Sequence, residues 1–388
     1  MSDQAFRRIL AASTTALAIV ASGGLGMHPA AAGDARLKVA STFESWSWDR
    51  SDTTEAETSE WTTRIGCDYE LLRGLTLQIL GGWVRADQNA TQVANSATTV
   101  SGPLDVRARL AYRVGDRWLM RFGINGPTGI TEFSADEISL AQTLSARILA
   151  FNGHRLGEGF DMDAGLSYAF RAGPATIGVG AGYTIKGGYD VLSDGPEYDA
   201  GDHISLAGGV DLGSSRYSRW LWRTNARAVF YSSDQRDGVE VYQTSDRYEV
   251  QTLLRRRWLM TSAWVSATRI TFGKARVPGD DGLVDEEQRS HGNELYLDIG
   301  IRRTLSPRFS AHLGVGVRTL AGNEFDEGKA RRRDFRAGCR WRTTSRLGLE
   351  LQGRYGSGRL DQRTPELNNA EGSDLAGLHA SVAATLDF

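Results

Sequence analysis

Along most of this chain apolar and polar residues alternate one for one, and that pattern constrains the possible fold more than any other feature. At the carboxy end Leu378, Ala380, Val382, Ala384, Leu386 and Phe388 share one parity, while His379, Ser381, Ala383, Thr385 and Asp387 share the other. Successive side chains of an extended strand point to opposite faces, so a period of two marks a strand with one apolar and one polar face. The same reading holds for Leu104, Val106, Ala108, Leu110 and Tyr112 against Asp105, Arg107, Arg109 and Arg113. It holds again for Leu295, Leu297, Ile299 and Ile301, and for Phe335, Ala337, Cys339 and Trp341. About sixteen such segments follow one another between residues 36 and 388; the alternation blurs only over 258–273.

The connections sort into two kinds. Short ones follow every even segment, as at Leu72-Arg73-Gly74, Gly115-Asp116, Ala172-Gly173 and Ser306-Pro307. Long ones follow the odd segments, including 87–102, 128–158, 274–291 and 358–376. Short turns at one rim and long loops at the other organise a transmembrane barrel, whose tilted strands need only about 9–11 residues to cross. This topology puts Trp118, Phe170, Trp220, Trp258, Phe309, Trp341 and Phe388 at the short-turn rim. Near the long-loop rim it puts Trp61, Trp83, Phe230, Phe272, Phe335 and Tyr355, a second aromatic belt for the second water interface. The expected fold is therefore all-β: an antiparallel up-and-down transmembrane barrel of about sixteen strands, with fourteen as the alternative.

Composition removes other classes. Lys+Arg is 45 against 47 for Asp+Glu, without the basic excess of a nucleic-acid binder. The body of the chain has no apolar run of about 18 residues, which excludes helical membrane spans. Two cysteines, Cys67 and Cys339, are too few for a disulfide framework or a thiolate zinc site. Arg7 and Arg8, the apolar stretch 9–21 and Ala30-Ala31-Ala32 together read as a secretory signal over residues 1–32. Residues 33–388 then form a single barrel domain.

About sixteen strands enclose a lumen wide enough for an aqueous channel. Its expected lining includes Arg107, Arg109, Arg121, Arg223, Arg227, Arg336, Arg340 and Arg354, with Asp105, Asp163, Asp298 and Glu350 among them. Guanidinium groups in a confined pore attract anions and hold carboxylates bidentately. The alternative is a wall of arginine–acid pairs that only keeps the lumen polar and rigid. Within loop 128–158, Ser134-Ala-Asp-Glu137 is a capping box, and the spacing predicts a helix to about Leu149 with Ile138, Ala141, Leu144 and Ile148 on one face. Gly123, Gly165, Gly178, Gly180, Gly182 and Gly209 share the inward parity of neighbouring strands and offer a surface on which Ile138 and Leu144 could dock, narrowing the pore. A helix lying across the rim is the competing arrangement.

No catalytic residues are expected. The histidines occur in no H-E-x-x-H pattern, and no G-x-S-x-G elbow or metal-ligand spacing is present. Gly178-Val-Gly180-Ala-Gly182 lies within a strand and is not a nucleotide loop, so no cofactor is implied.

The alternating last strand ending in Phe388 resembles the assembly signal of bacterial outer-membrane proteins. The stretch Phe122-Gly-Ile-Asn-Gly-Pro-Thr-Gly129, together with Gly-Glu-Gly-Phe160 and Tyr198-Asp-Ala-Gly-Asp202, resembles the long-chain fatty acid and aromatic hydrocarbon (FadL-like) outer-membrane transporters over roughly 110 residues. That resemblance implies passive uptake across the outer membrane of a Gram-negative bacterium. The family's fourteen strands and amino-terminal hatch are not matched here. The expected function is an outer-membrane channel for diffusion of small solutes, favouring anionic or carboxylate-bearing ones. A hydrophobic-compound transporter and a structural or adhesive barrel without a conducting pore are the alternatives. Expected partners are outer-membrane lipid, the barrel-assembly machinery and a small-molecule solute, with no nucleic acid, and a monomer or homotrimer as the assembly.

Overall fold

The computed structural model describes residues 34–49, 55–90, 98–130, 132–153, 156–157, 159–189, 197–213, 218–367 and 370–388. The signal segment 1–32 lies outside them. The chain begins with β1 (Ala35–Asp49), β2 (Glu55–Leu72), β3 (Leu75–Ala90), β4 (Thr98–Val114) and β5 (Trp118–Gly126). After helix α1 (Ala135–Ser145) come β6 (Asp161–Ala172) and β7 (Ala175–Ile185), then the short β8 (Gly188–Tyr189) and β9 (Tyr198–Asp199). Next are β10 (His203–Leu212) and β11 (Trp220–Tyr231), the short β12 (Asp234–Arg236) and β13 (Val239–Tyr242), and β14 (Arg247–Trp258) and β15 (Thr261–Phe272). The short β16 (Arg276–Gly279) and β17 (Gly282–Asp285) precede β18 (Glu294–Ser306), β19 (Phe309–Leu320), β20 (Ala330–Arg342), β21 (Leu347–Leu360) and β22 (Asp374–Asp387).

Sixteen of these strands form one closed antiparallel barrel, sealed where β22 pairs with β1. The fourteen-strand alternative is thereby excluded. The six short strands belong to the long loops, as a four-stranded sheet and a two-stranded ribbon. Closure satisfies every edge, which a sheet within a bilayer requires because lipid offers no hydrogen bonds. At the seam the Phe388 N–H donates to Ala35 O at 2.9 Å. The tight turns close with glycines in the left-handed region, such as Gly115 at φ 60° and Gly173 at φ 58°.

The register turns the alternation into two surfaces. Val265, Ile299, Val315, Phe335 and Tyr355 are successive partners across five strands, and all point outward and are exposed. One residue away, Gly300, Gly314, Arg336, Arg354, His379, Glu44 and Glu60 form the matching inward row. An apolar band outside and a charged surface inside define a membrane-spanning barrel.

Two sequence expectations change here. The β3–β4 register shifts between Leu80 and Gly82, so Leu104 pairs with Gly82 while Ala108 still pairs with Ile79. This irregularity flips the parity. Leu104, expected to share the outward face of Val106, is instead buried inside with Val84, Ala86 and Val100. Phe272 lies at the long-loop rim but has the inward parity of its partner Arg247, and packs against the His291 ring at 5.4 Å and under Arg147 at 4.9 Å.

Candidate functional site: the barrel lumen

The long connection between β5 and β6 folds into the barrel. Ser134 caps α1: its side chain accepts from the Glu137 N–H, and the Glu137 carboxylate accepts from the Ser134 N–H at 2.8 Å. The capping box is as the sequence indicates, but the helix stops at Ser145 and the chain turns through Ala146, Ile148 and Leu149. The buried residues of α1 are Leu140, Thr143 and Leu144, with Ile138 only half-buried. Leu140 and Leu144 share a buried core with Trp46, Trp48, Val84, Ala86, Val100, Leu104, Leu360 and Leu375, all inward side chains of β1, β3, β4, β21 and β22. The parity flip adds Val100 and Leu104 to this apolar seat.

Polar contacts pin the segment around half the circumference. Asp105 Oδ1 on β4 accepts the Gly129 N–H at 2.7 Å. Glu44 on β1 accepts the Asn152 N–H at 2.7 Å, and Glu60 on β2 accepts the Gly153 N–H at 2.8 Å. Arg332 on β20 donates to the carbonyls of Ile148 and Leu149, and Arg147 reaches Glu294 on β18 at 2.7 Å. Glu44 and Glu60 are direct cross-strand partners, almost fully buried. Arg354 at 2.6 Å and His379 at 2.7 Å both meet the Glu44 carboxylate, supplying the hydrogen bonds and opposing charge that a buried carboxylate requires.

The expected docking of Ile138 and Leu144 on the glycine patch does not occur: α1 contacts β3, β4 and the turn Pro365–Leu367. The inward glycines make room for polar side chains instead. A Cβ on Gly123 would lie 2.3 Å from Asp163 Oδ1, one on Gly180 2.7 Å from Ser167 Oγ, and one on Gly209 2.4 Å from Asn225 Oδ1. Gly165 lies beneath the guanidinium of Arg121, and Gly182 beside Ser205. Gly178 meets only the Tyr168 backbone. Close approach by a large group does occur elsewhere: the Trp46 ring lies on Gly356 and Gly377.

With one side of the lumen filled, a cavity of about 830 Å³ remains against the opposite wall, along β4–β7, β10, β11 and β14. Its lining carries six cations, Arg107, Arg109, Arg121, Lys186, Arg227 and Arg247, against three carboxylates, Asp161, Asp163 and Asp234. The acids are engaged. Asp163 meets Arg109 at 3.4 Å, Asp161 meets Lys186 at 2.8 Å, and Asp234 accepts the Gly201 N–H at 2.7 Å and the Tyr198 hydroxyl. Burial and Asp234 push the Tyr198 phenol well above its ordinary range, so it stays a donor. Arg247 meets Glu249 at 2.8 Å. Among the described residues, Arg107, Arg121 and Arg227 make no ion pair.

Several of the other inward arginines are paired. Arg223 meets Asp211 at 2.6 Å, Arg340 meets Glu350 at 2.8 Å, and Arg336 bonds Asp298. The expected mixture of arginines and acids thus resolves into paired stretches of wall and a cavity in which three of six cations make no ion pair among the described residues. Sequence reasoning missed Glu44, Glu60, Arg147, Glu294 and Arg332. A charge on an inward parity was the available signal, but nothing local says that a loop from elsewhere in the chain will meet it.

No protein-family model matches this chain, and no curated protein matches it. Several solved structures are similar in fold. OccK7 (OpdD) of Pseudomonas aeruginosa is 12% identical, with 92% of this chain and 100% of that chain covered and a TM-score of 0.45. The anion-selective porin from Comamonas acidovorans is 11% identical, with 92% and 100% covered and a TM-score of 0.45. OccAB4 of Acinetobacter baumannii is 9% identical, with 92% and 98% covered and a TM-score of 0.46.

Proposed function

We propose that this protein is a passive channel of the Gram-negative outer membrane, favouring small anionic, carboxylate-bearing solutes, with no enzymatic step. The observation that carries the reading is the excess of cations in the open cavity, where Arg107, Arg121 and Arg227 have no ion pair among the described residues. Guanidinium groups in a confined aqueous path lower the energy of an anion and raise that of a cation. The inserted loop confines the path to one side of the lumen, so a permeating solute meets these arginines. A route for hydrophobic compounds would need an apolar lining, and this cavity is lined mainly by charged groups, hydroxyls and glycines. Phe388, exposed at the short-turn rim, is available to the assembly machinery.

The test is the reversal potential of the folded protein in a planar bilayer across a potassium chloride gradient. Anion preference is expected, falling toward neutrality in the triple variant Arg107→Ala, Arg121→Ala, Arg227→Ala. Cation preference in the parent, or an unchanged reversal potential in the triple variant, would overturn the proposal.

A further inference from the structure

The outer wall carries a cation cluster that the pore does not use. Arg331 and Arg333 on β20 and Arg359 on β21 have the outward parity of Phe335 and Tyr355, and all three are exposed. Arg331 stands directly opposite Arg359, with Thr319 as its partner on the other side; Arg333 stands between Val317 and Ser357. Like charges directly opposite in a sheet repel, and a sequence free to avoid the clash normally does so. The acids nearby both lie on the Arg359 side: Asp361 at 3.9 Å and its register partner Asp374. Among the described residues neither Arg331 nor Arg333 has an ion-pair partner.

Height places the cluster at a lipid headgroup. Ten residues separate Arg331 from Trp341 of the short-turn belt. At about 3.3 Å per residue and a tilt of about 40°, the two lie about 25 Å apart along the barrel axis, the usual height of the apolar band. Below the arginines, past Phe335 and Tyr355, the wall becomes concave. Ala337, Gly353 and Ala380 are successive partners with small or absent side chains, flanked by Phe43 and Leu313. They belong to an outward groove of about 800 Å³ lined almost wholly by apolar atoms. Cations at the long-loop rim above an acyl-sized apolar groove match a lipid whose headgroup carries phosphate.

We propose that β20 and β21 form a binding site for the phosphorylated glycolipid of the outer leaflet, of the lipid A class. Its phosphate sits among Arg331, Arg333 and Arg359, and an acyl chain lies in the groove over Gly353 and Ala380. The bound phosphate relieves the repulsion between Arg331 and Arg359, which makes the lipid part of this wall.

Native mass spectrometry of the folded full-length protein, titrated with a deep-rough lipopolysaccharide, tests this. Retention of one glycolipid per chain is expected, weakened about ten-fold or more in Arg331→Ala/Arg333→Ala and unchanged in Arg85→Ala, an exposed outward arginine of β3. Gly353→Leu fills the groove, and the nearest atom to its Cβ is 4.0 Å away, so the barrel should fold and bind the glycolipid more weakly. Folding of each variant is checked by heat-modifiable electrophoretic mobility. Equal retention by the parent and the folded double-arginine variant would overturn the site. Equal retention of phosphatidylglycerol and the glycolipid would overturn the assignment to the outer-leaflet lipid.

Discussion

Arg332→Ala tests how the inserted segment is held. The side chain is only 3% exposed, yet it points at the loop and not at solvent. It donates to Leu149 O at 2.7 Å and to Ile148 O, donates to Asp334 Oδ2 at 3.0 Å, and lies 4.8 Å from the Trp46 ring centroid. Charged hydrogen bonds contribute about 1.5–3 kcal/mol each, and cation–π contact adds about 0.5–2 kcal/mol. When the segment detaches, water rehydrates the guanidinium and returns part of this. A net loss of about 3 kcal/mol in the hold on the loop follows, or about a hundred-fold rise in its detached population. Limited trypsin digestion reads that population at cleavage after Arg147, which is otherwise bound to Glu294 and Phe272, provided reclosing outpaces cleavage. Cleavage about a hundred-fold faster in the folded variant is expected, with noisier single-channel current. Cleavage within two-fold of the parent would refute the assignment of Arg332 as a principal clamp.

Three further outcomes follow from the same geometry. Gly377→Ala puts a Cβ 2.3 Å from the Trp46 ring and should cost about 1–3 kcal/mol, seen as a lower midpoint of heat-modifiable mobility. Gly353→Ala, whose Cβ would meet nothing nearer than His379 O at 4.0 Å, should stay within about 0.5 kcal/mol of the parent in the same assay. Burial, and then the Arg147 guanidinium, hold the His291 imidazole below its ordinary range, so the folded protein favours the neutral ring. The stability this contributes is complete above the ordinary histidine value and is lost as pH falls through the lowered folded one. The thermal midpoint should therefore drop between pH 7 and pH 5 less in His291→Gln than in the parent, and an equal drop would remove His291 from the account.

The barrel was legible because its physics is local. Each strand must show apolar residues to lipid and polar residues to water, so the period of two is written into the segment itself, as 378–388 and 331–342 demonstrate. The capping box at Ser134 and Glu137 was legible for the same reason, since both partners lie within one helical turn. Leu104 was misplaced because the parity flip is a property of the pairing between β3 and β4, and an irregular register leaves no trace in the alternation of either strand read alone. The inward glycines were identified by parity, but their use was not: the same absence of a side chain serves Arg121 at Gly165 and Trp46 at Gly377.

The sequence by itself determined a closed antiparallel wall of about sixteen strands, its two rims, and for most strands which face carries charge. Only the tertiary structure decided which of those charges are spent. Glu44 and Glu60 hold backbone amides of a segment about a hundred residues away, and Arg223, Arg336, Arg340 and Arg354 each meet an acid, whereas Arg107, Arg121 and Arg227 are left facing the open cavity. The reason is geometric: alternation fixes the direction of a side chain, but its partner depends on barrel closure and on where the inserted loop comes to rest.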